Sequence, residues 1–165
     1  MILLDTNVLG RMTDRADPQC AAARHAVHSL LASHDRPVVV PQVLYEFWAV
    51  ATRKAGPPPD GQNGLGMTPE QASQWLGFFQ RRFTLLPDRE ELLPRWHDLV
   101  RRLGITGIRS YDARLVAAMQ TFGIERLLTF NAEHFRRFSI TLVDPASVVE
   151  SASIPAGRRA SATAR

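Results

Sequence analysis

The 165-residue sequence predicts an α/β fold in which helices cover a central, mainly parallel sheet. Short apolar runs of strand length alternate with longer segments whose apolar residues recur at helical spacing. Proline, glycine and Ser/Thr residues stand at the boundaries between these segments. Strands that alternate with helices are joined by crossovers, and crossovers favour parallel pairing. We therefore predict one α/β domain over residues 1–148 and a disordered, arginine-containing tail over residues 149–165.

The predicted elements follow one another regularly along the chain. The strands are expected at residues 2–5, 37–40, 83–86, 126–129 and 140–143, and the helices at about residues 18–33, 41–54, 68–79, 90–103 and 110–122. Pro41 suits the first position of a helix, and Thr68 followed by Pro69 combines an N-cap with such a proline. Gly123 is placed to end the last helix. The segment 56–66, rich in glycine and proline, has the composition of a mobile loop.

Composition indicates an ordinary globular protein and excludes two kinds of cysteine site. Hydrophobic residues make up 45% of the chain and charged residues 22%. The single cysteine, Cys20, can form neither an internal disulfide nor a cysteine-based zinc site. No apolar run approaches the roughly 20 residues that span a bilayer, and the apolar start is too short for a signal peptide. We expect a cytoplasmic protein with no membrane partner.

The charge of the chain is compatible with a nucleic-acid substrate. The formal net charge is +4, from 20 Lys and Arg against 16 Asp and Glu, and Lys54 is the only lysine. A basic surface around an acidic site suits a phosphate backbone. Coding bias toward arginine explains the same composition equally well.

The first apolar run, ILLD, ends on Asp5. A carboxylate at the edge of a core costs several kcal/mol or more if it is buried without a partner. Three explanations are open at this point: Asp5 caps a helix, pairs with a distant arginine, or binds a metal ion.

Two further acids lie near the apolar faces of predicted helices. Glu46 stands at the edge of an apolar arc, between Val43 and Val50, and Asp112 falls in the middle of the arc that includes Leu115. An acid on the core face of a helix departs from normal amphipathic patterning. For Asp112, a first-turn acid favoured by the helix dipole is the alternative.

The predicted topology brings Asp5, Glu46 and Asp112 together. In parallel sheets, strand carboxyl ends and the following helix amino ends gather at one edge, where ligands bind. Three carboxylates at that edge would repel one another unless a cation joined them. Oxygen ligands without cysteine or histidine suit a hard cation. The sequence therefore predicts a Mg²⁺ site, with Mn²⁺ as a substitute.

Four short motifs resemble those of PIN-domain ribonucleases. They are LDTN at residues 4–7, Glu46 after the sequence VVVPQ, YDA at residues 111–113, and LTFN at residues 128–131 with Phe135 beyond it. Within that family the short chain is similar to VapC-type toxins of bacterial toxin–antitoxin pairs. The resemblance covers about residues 1–145, and it implies a PIN-like three-layer α/β/α sandwich.

The resemblance also implies roles for particular residues. Asp5, Glu46 and Asp112 would be both the metal ligands and the catalytic acids of a Mg²⁺-dependent endoribonuclease that hydrolyses RNA phosphodiester bonds. The supporting residues are Thr6, Asn7, Thr129 and Asn131, of which the first two would shape the loop after the first strand. The expected partners are an RNA substrate, a cognate antitoxin protein and a second copy of the chain in a homodimer.

Two features keep other functions open. Asn131 stands where many family members carry an aspartate, and His134 where another acid is common, which favours a weak or inactive PIN-like module that binds RNA or a protein. A phosphatase of the haloacid-dehalogenase kind would need an aspartate at the position of Asn7.

Arg109 and Arg114 flank Asp112 and are candidate RNA contacts on proximity alone, the alternative being solvated surface arginines.

Overall fold

The structure, a computed structural model, contains a five-stranded sheet in which all strands are parallel. It describes residues 1–33, 35–57 and 59–148, so the predicted tail at 149–165 lies outside the described residues. The strands are β1 (Ile2–Leu4), β2 (Pro37–Val39), β3 (Thr84–Leu85), β4 (Arg126–Leu128) and β5 (Thr141–Val143). Their order across the sheet is β3-β2-β1-β4-β5. The predicted α/β fold and all five strands are confirmed.

Helices form a layer on each side of the sheet. The described residues contain α1 (Thr6–Thr13), α2 (Cys20–Ala32), α3 (Pro41–Thr52), α4 (Pro69–Arg82), α5 (Leu92–Leu103), α6 (Arg109–Phe122) and α7 (Ala132–Phe135). Helix α1 packs on α2 and α3, and α3 packs on α4, whereas α6 packs on α5 and α7. Because parallel crossovers are right-handed, the chain order places α1–α4 on one face and α5–α7 on the other. The fold is the three-layer sandwich that the sequence predicts.

The sheet is buried on both faces, as expected for parallel strands between two helical layers. Every residue of β1 and β2 is buried, and the side chains of β1 are fully inaccessible to solvent. Beside this core, Phe79 packs edge-on against Phe47 with ring centroids 5.0 Å apart and stacks on Phe83 at 5.9 Å. These contacts join α3, α4 and the chain entering β3.

Two short helices were not predicted from the sequence, and the first lies next to β1. Residues 6–13 form α1, so Thr6 and Asn7 belong to the first turn of a helix and do not form the expected loop. The helix buries Val8, Leu9 and Met12, a pattern too short to show clear helical periodicity. The four-residue helix α7 was missed for the same reason.

The glycine- and proline-rich segment does not extend freely from the domain. Its described residues fold back on α3, where the backbone amides of Leu65 and Met67 donate to the carbonyls of Val50 and Ala51 at 3.0 and 2.8 Å. These carbonyls lie in the last turn of the helix and have no partner within it. The close approach requires glycine at Gly64, where a Cβ atom would lie 2.1 Å from a backbone oxygen. The segment therefore completes the end of α3.

Two predicted helix boundaries are confirmed in detail. Thr68 and Gln71 form a reciprocal capping box at the start of α4. Gly123 ends α6 with φ at 64°, in the left-handed region that glycine tolerates best.

Across residues 1–33, 35–57 and 59–148, none of the helices has both the length and the apolar character needed to cross a bilayer.

The aromatic cluster around Phe79 predicts a large contribution to stability. We expect Phe79→Ala to lower the free energy of unfolding by about 3–5 kcal/mol, because it removes a fully buried ring and leaves a cavity. Urea denaturation followed by circular dichroism measures this change. The exposed neighbour in the same helix, Gln80→Ala, is the control and should change stability by no more than about 0.5 kcal/mol. Equal effects of the two substitutions would contradict the packing described here.

Candidate active site

The first candidate residue, Asp5, directly follows β1 and is buried, with 8% of its surface exposed. Its backbone amide donates to the carbonyl of Leu128 at 3.0 Å, which continues the pairing of β1 with β4 beyond the strand end. Its Oδ2 atom accepts hydrogen bonds from Thr129 Oγ1 at 2.6 Å and from Asn7 Nδ2 at 2.7 Å. The Asp5 carboxylate is therefore held by one residue close in sequence, Asn7, and by one that follows the neighbouring strand β4, Thr129.

Asn7 connects helix α1 to the chain that follows β4. Its Nδ2 atom lies 3.1 Å from Thr129 Oγ1, and its Oδ1 atom accepts from the amide of Phe130 at 3.2 Å. Thr129 Oγ1 in turn accepts from the backbone amide of Asn131 at 2.9 Å. Asn131 thus takes part in the network through its backbone, while Thr129 and Asn7 hold the Asp5 side chain.

The second acid, Glu46, lies on α3 and is held by two neutral donors. Its Oε2 atom accepts from Thr6 Oγ1 at 2.8 Å, and its Oε1 atom accepts from Gln42 Nε2 at 2.8 Å. Thr6 and Asn7 are consecutive residues of α1, and they contact different acids. The first turn of α1 therefore links Glu46 to Asp5.

The third acid, Asp112, lies in the first turn of α6 at the edge of a small cavity. Its Oδ2 atom is 3.3 Å from Arg109 Nη1 and 3.9 Å from His134 Nδ1. The cavity has a volume of about 100 Å³. It is lined by Ile105, Arg109, Asp112, Glu133, His134, Arg137 and Phe138. Asp112 is thus the acid with an arginine beside it, and it faces solvent more than Asp5 does.

Glu46 and Asp112 both lie near enough to Asp5 to act on its carboxylate electrostatically. The pKa of Asp5 is raised to about 6 from an ordinary value of 3.8, chiefly by burial, although the hydrogen bond from Thr129 opposes the rise. The negative charges of Glu46 and Asp112 contribute to the same rise. Among the described residues no ion pair reaches Asp5, and its side chain makes no cap hydrogen bond to α1. Asp5 thus occupies the N-cap position of α1 without a side-chain cap hydrogen bond and has no arginine partner in the described part of the chain, so its burial favours the third explanation, a metal ion.

The chemistry of these side chains fits a hard divalent cation. Asp5 and Glu46 offer carboxylate oxygens whose protein neighbours are hydroxyl and amide groups, so no described side chain neutralises them. Oxygen donors of this kind are the ligands that Mg²⁺ and Mn²⁺ prefer. Within the part of the chain that the structure describes, no group of three or more acidic, histidine or cysteine side chains is arranged to hold a metal ion. Asp112 is the acid that pairs with an arginine, Arg109.

The two arginines predicted to contact RNA have different surroundings. Arg109 lines the cavity beside Asp112. Arg114 has two protein partners, because its Nη2 atom pairs with Asp88 Oδ2 at 2.6 Å and its Nη1 atom donates to Gln42 Oε1 at 2.8 Å. Sequence analysis missed Gln42, although its position four residues before Glu46 places both side chains on one helix face.

The raised pKa of Asp5 predicts a pH-dependent cost to stability in the metal-free protein. Since the unfolded chain releases this proton at lower pH, the Asp5 contribution to the free energy of unfolding falls as pH rises from about 4 through 6. Asp5→Asn should therefore stabilise the protein by up to about 3 kcal/mol at pH 8 and by little at pH 4. Urea denaturation in EDTA at both pH values measures the difference.

The control for this measurement is Asp98→Asn, because Asp98 is an exposed acid on α5. It should change stability by no more than about 0.5 kcal/mol at either pH. Destabilisation by Asp5→Asn at pH 8, or an equal gain at both pH values, would contradict the cost assigned to the buried charge.

Comparisons with known proteins agree with this architecture. The chain is similar in fold to VapBC2 from Rickettsia felis bound to a DNA fragment from its promoter, with a TM-score of 0.62, 18% identity, and coverage of 87% of this chain and 98% of that one. It is similar to FitAcB from Neisseria gonorrhoeae, with a TM-score of 0.62, 15% identity, and coverage of 90% and 100%.

A third similar structure is VapC20 of Mycobacterium tuberculosis, which is described as a sarcin-ricin loop cleaving toxin. The TM-score is 0.60 at 15% identity, and the match covers 85% of this chain and 98% of that one. No curated protein is significantly similar to the sequence. The model of the PIN domain family matches residues 2–140. Because this match includes four of the five strands and all three candidate acids, the chain belongs to the PIN domain family.

Proposed function

We propose that the protein is a metal-dependent endoribonuclease, with Asp5, Glu46 and Asp112 as its metal ligands and catalytic acids. The observation that carries the proposal is the Asp5 carboxylate, which is buried beside two further acids and oriented by neutral donors alone. Such a group is costly unless a cation binds there. Membership of the PIN domain family supports a nuclease, and the oxygen ligands favour Mg²⁺, with Mn²⁺ as a substitute.

When bound, a divalent cation would polarise the scissile phosphate and lower the pKa of an attacking water. The chain itself supplies orientation. Thr129 and Asn7 hold the Oδ2 atom of Asp5, and these two contacts also fix the direction in which its Oδ1 atom points. Thr6 holds Glu46 in the same way from the first turn of α1. Asp112 would exchange its contact with Arg109 for the cation, which would free the guanidinium for substrate.

The surroundings of Asp112 support a phosphate-backbone substrate. Arg109 and Arg137 line the cavity beside it, and His134 lies on the same side. Arginine binds phosphate through paired N–H groups, so these side chains suit the backbone next to the scissile bond. RNA is the substrate we propose, because the similar VapC20 is described as cleaving the sarcin-ricin loop. Arg114 is the weaker of the two candidate RNA contacts, since two of its N–H groups are engaged by Asp88 and Gln42.

The biological setting we propose is a cytoplasmic toxin with a protein antitoxin. The support is that similar structures include the VapBC2 proteins of Rickettsia felis and a toxin–antitoxin complex from Klebsiella pneumoniae. We also propose a homodimer, on the resemblance of the sequence to VapC-type toxins.

A second candidate function is a PIN-like module that binds RNA or a protein without cleaving. Asn131 favours it, because this residue contributes a backbone N–H to Thr129 and brings no negative charge to the site. A site with one carboxylate fewer would hold a second cation weakly, if at all.

Cleavage of RNA separates the two functions. We expect purified, partner-free protein to cut labelled total RNA into discrete fragments with Mg²⁺ or Mn²⁺ and to stop in EDTA. Asp112→Asn should reduce the rate at least about 100-fold, because loss of a ligand exceeds the 10- to 100-fold cost typical of residues that only orient ligands. Gel analysis of the fragments measures both effects.

The control for cleavage is Asp98→Asn, which changes an exposed acid elsewhere and should cut at the rate of the unmodified protein. Cleavage that persists in EDTA or in Asp112→Asn would point to a contaminating nuclease. Folded, metal-loaded protein that binds RNA and never cuts it would establish the binding module instead.

The cavity beside Asp112 predicts a local electrostatic contribution to RNA binding. In the Asp112→Asn background, Arg137→Gln should weaken binding to single-stranded RNA. It should also lower the slope of log Kd against log salt concentration by about 0.7. Fluorescence anisotropy at several salt concentrations measures the slope. Arg81→Gln is the matched control, because this exposed arginine lies at the end of α4, near the opposite edge of the sheet. A slope unchanged by Arg137→Gln, or equally reduced by both, would contradict the assignment.

A further inference from the structure

Gln42 is buried, with 6% of its surface exposed, and the function proposed above gives it no role. In the described residues the other buried polar side chains are Asp5, Thr13 and Thr129. Asp5 and Thr129 belong to the candidate site, and Thr13 bonds to a carbonyl of its own helix. A buried amide is costly unless its hydrogen bonds are made. Its contacts therefore indicate what it does.

The amide of Gln42 has a defined partner on each side. Its Nε2 atom donates to Glu46 Oε1 at 2.8 Å and to the carbonyl of Tyr111 at 2.9 Å, and its Oε1 atom accepts from Arg114 Nη1 at 2.8 Å. If the amide turned over, its oxygen would face two acceptors and its NH₂ group would face a guanidinium donor. The chemistry of the partners thus permits one orientation only.

This orientation joins the two helical layers at the candidate site. Gln42 and Glu46 lie on α3, in one layer, whereas Tyr111 precedes Asp112 on α6, in the other. Arg114, which fixes the Gln42 oxygen, is itself held by Asp88 at 2.6 Å. A continuous chain of hydrogen bonds therefore runs from Asp88 to the carboxylate of Glu46.

We infer that Gln42 is a positioning residue, whose amide holds the Glu46 carboxylate in register with Asp112 so that both can bind one divalent cation, and that Arg114 acts through Gln42. The inference rests on the proposed metal-dependent function. Partners that orient metal ligands typically change cation affinity by 10- to 100-fold when they are removed. A contact that served only to pack α3 against α6 would affect stability and leave cation affinity unchanged.

The test is calorimetric titration of the full-length, metal-free protein with Mn²⁺. Gln42→Met keeps the length of the side chain and removes its hydrogen bonds, so we expect the Kd for Mn²⁺ to rise at least about tenfold. Arg114→Met should raise the Kd by a smaller factor. The double variant should bind no more weakly than Gln42→Met alone, because two residues that act through one contact are not additive.

Two controls accompany the titration. Thr52→Val removes a side-chain hydrogen bond from the far end of α3 and should leave the Kd within twofold of the unmodified protein. Glu46→Gln removes a proposed ligand and should raise the Kd more than any other substitution in the series. Thermal unfolding in EDTA shows whether each variant is folded. If Gln42→Met does not fold, the partly exposed Arg114→Met carries the test.

The outcomes separate this inference from the function on which it rests. If the unmodified protein binds Mn²⁺ and folded Gln42→Met binds it with the same Kd, the role of Gln42 is overturned and the metal site stands. The same conclusion follows from an unchanged Kd in Arg114→Met, if that variant carries the test. No binding by the unmodified protein would overturn both. Independent, additive effects of Gln42→Met and Arg114→Met would overturn the claim that Arg114 acts through Gln42.

Discussion

The arrangement of the site depends on one buried charge, the Asp5 carboxylate at the carboxyl end of the central strand. The strand carries Asp5 out of a fully apolar core, and the protein surrounds it with a threonine hydroxyl and an asparagine amide. Both donors are neutral, so they orient the carboxylate without cancelling its charge. The uncancelled charge lowers stability in the metal-free protein. Charged groups that lower the stability of the free protein are common at ligand-binding sites.

The remaining acids come from separate layers of the sandwich. Glu46 is carried by α3 and Asp112 by α6, and the two helices lie on opposite faces of the sheet. A site divided in this way needs contacts that pass over the sheet edge. Gln42 supplies such a contact through the carbonyl of Tyr111, and the first turn of α1 joins Glu46 to Asp5 at the end of the central strand.

The sequence was informative where one physical rule acts locally. Strands with buried faces, the proline starts of α3 and α4, and the glycine after α6 follow from hydrophobicity and backbone conformation, and the three acids follow from parallel topology. Helix α1 was missed because eight residues hold too few apolar positions to show a period. The ion pair of Arg114 with Asp88 was not predicted, because the two residues lie 26 positions apart. Contacts over such distances depend on packing, which periodicity does not describe.

The pairing of β1 has a consequence for how the protein is made. Residues 2–4 pair with 37 and 38 on one side and with residues 126–128 on the other, so the second neighbour emerges from the ribosome only after most of the domain. Non-local strand pairs of this kind form late and slowly. The hydroxyl of Thr129 reaches Asp5 across 124 positions of sequence. A nascent or prematurely terminated chain that lacks residue 129 carries the acid with only one of its two orienting groups, Asn7, so the arrangement around Asp5 is complete only when synthesis has passed β4.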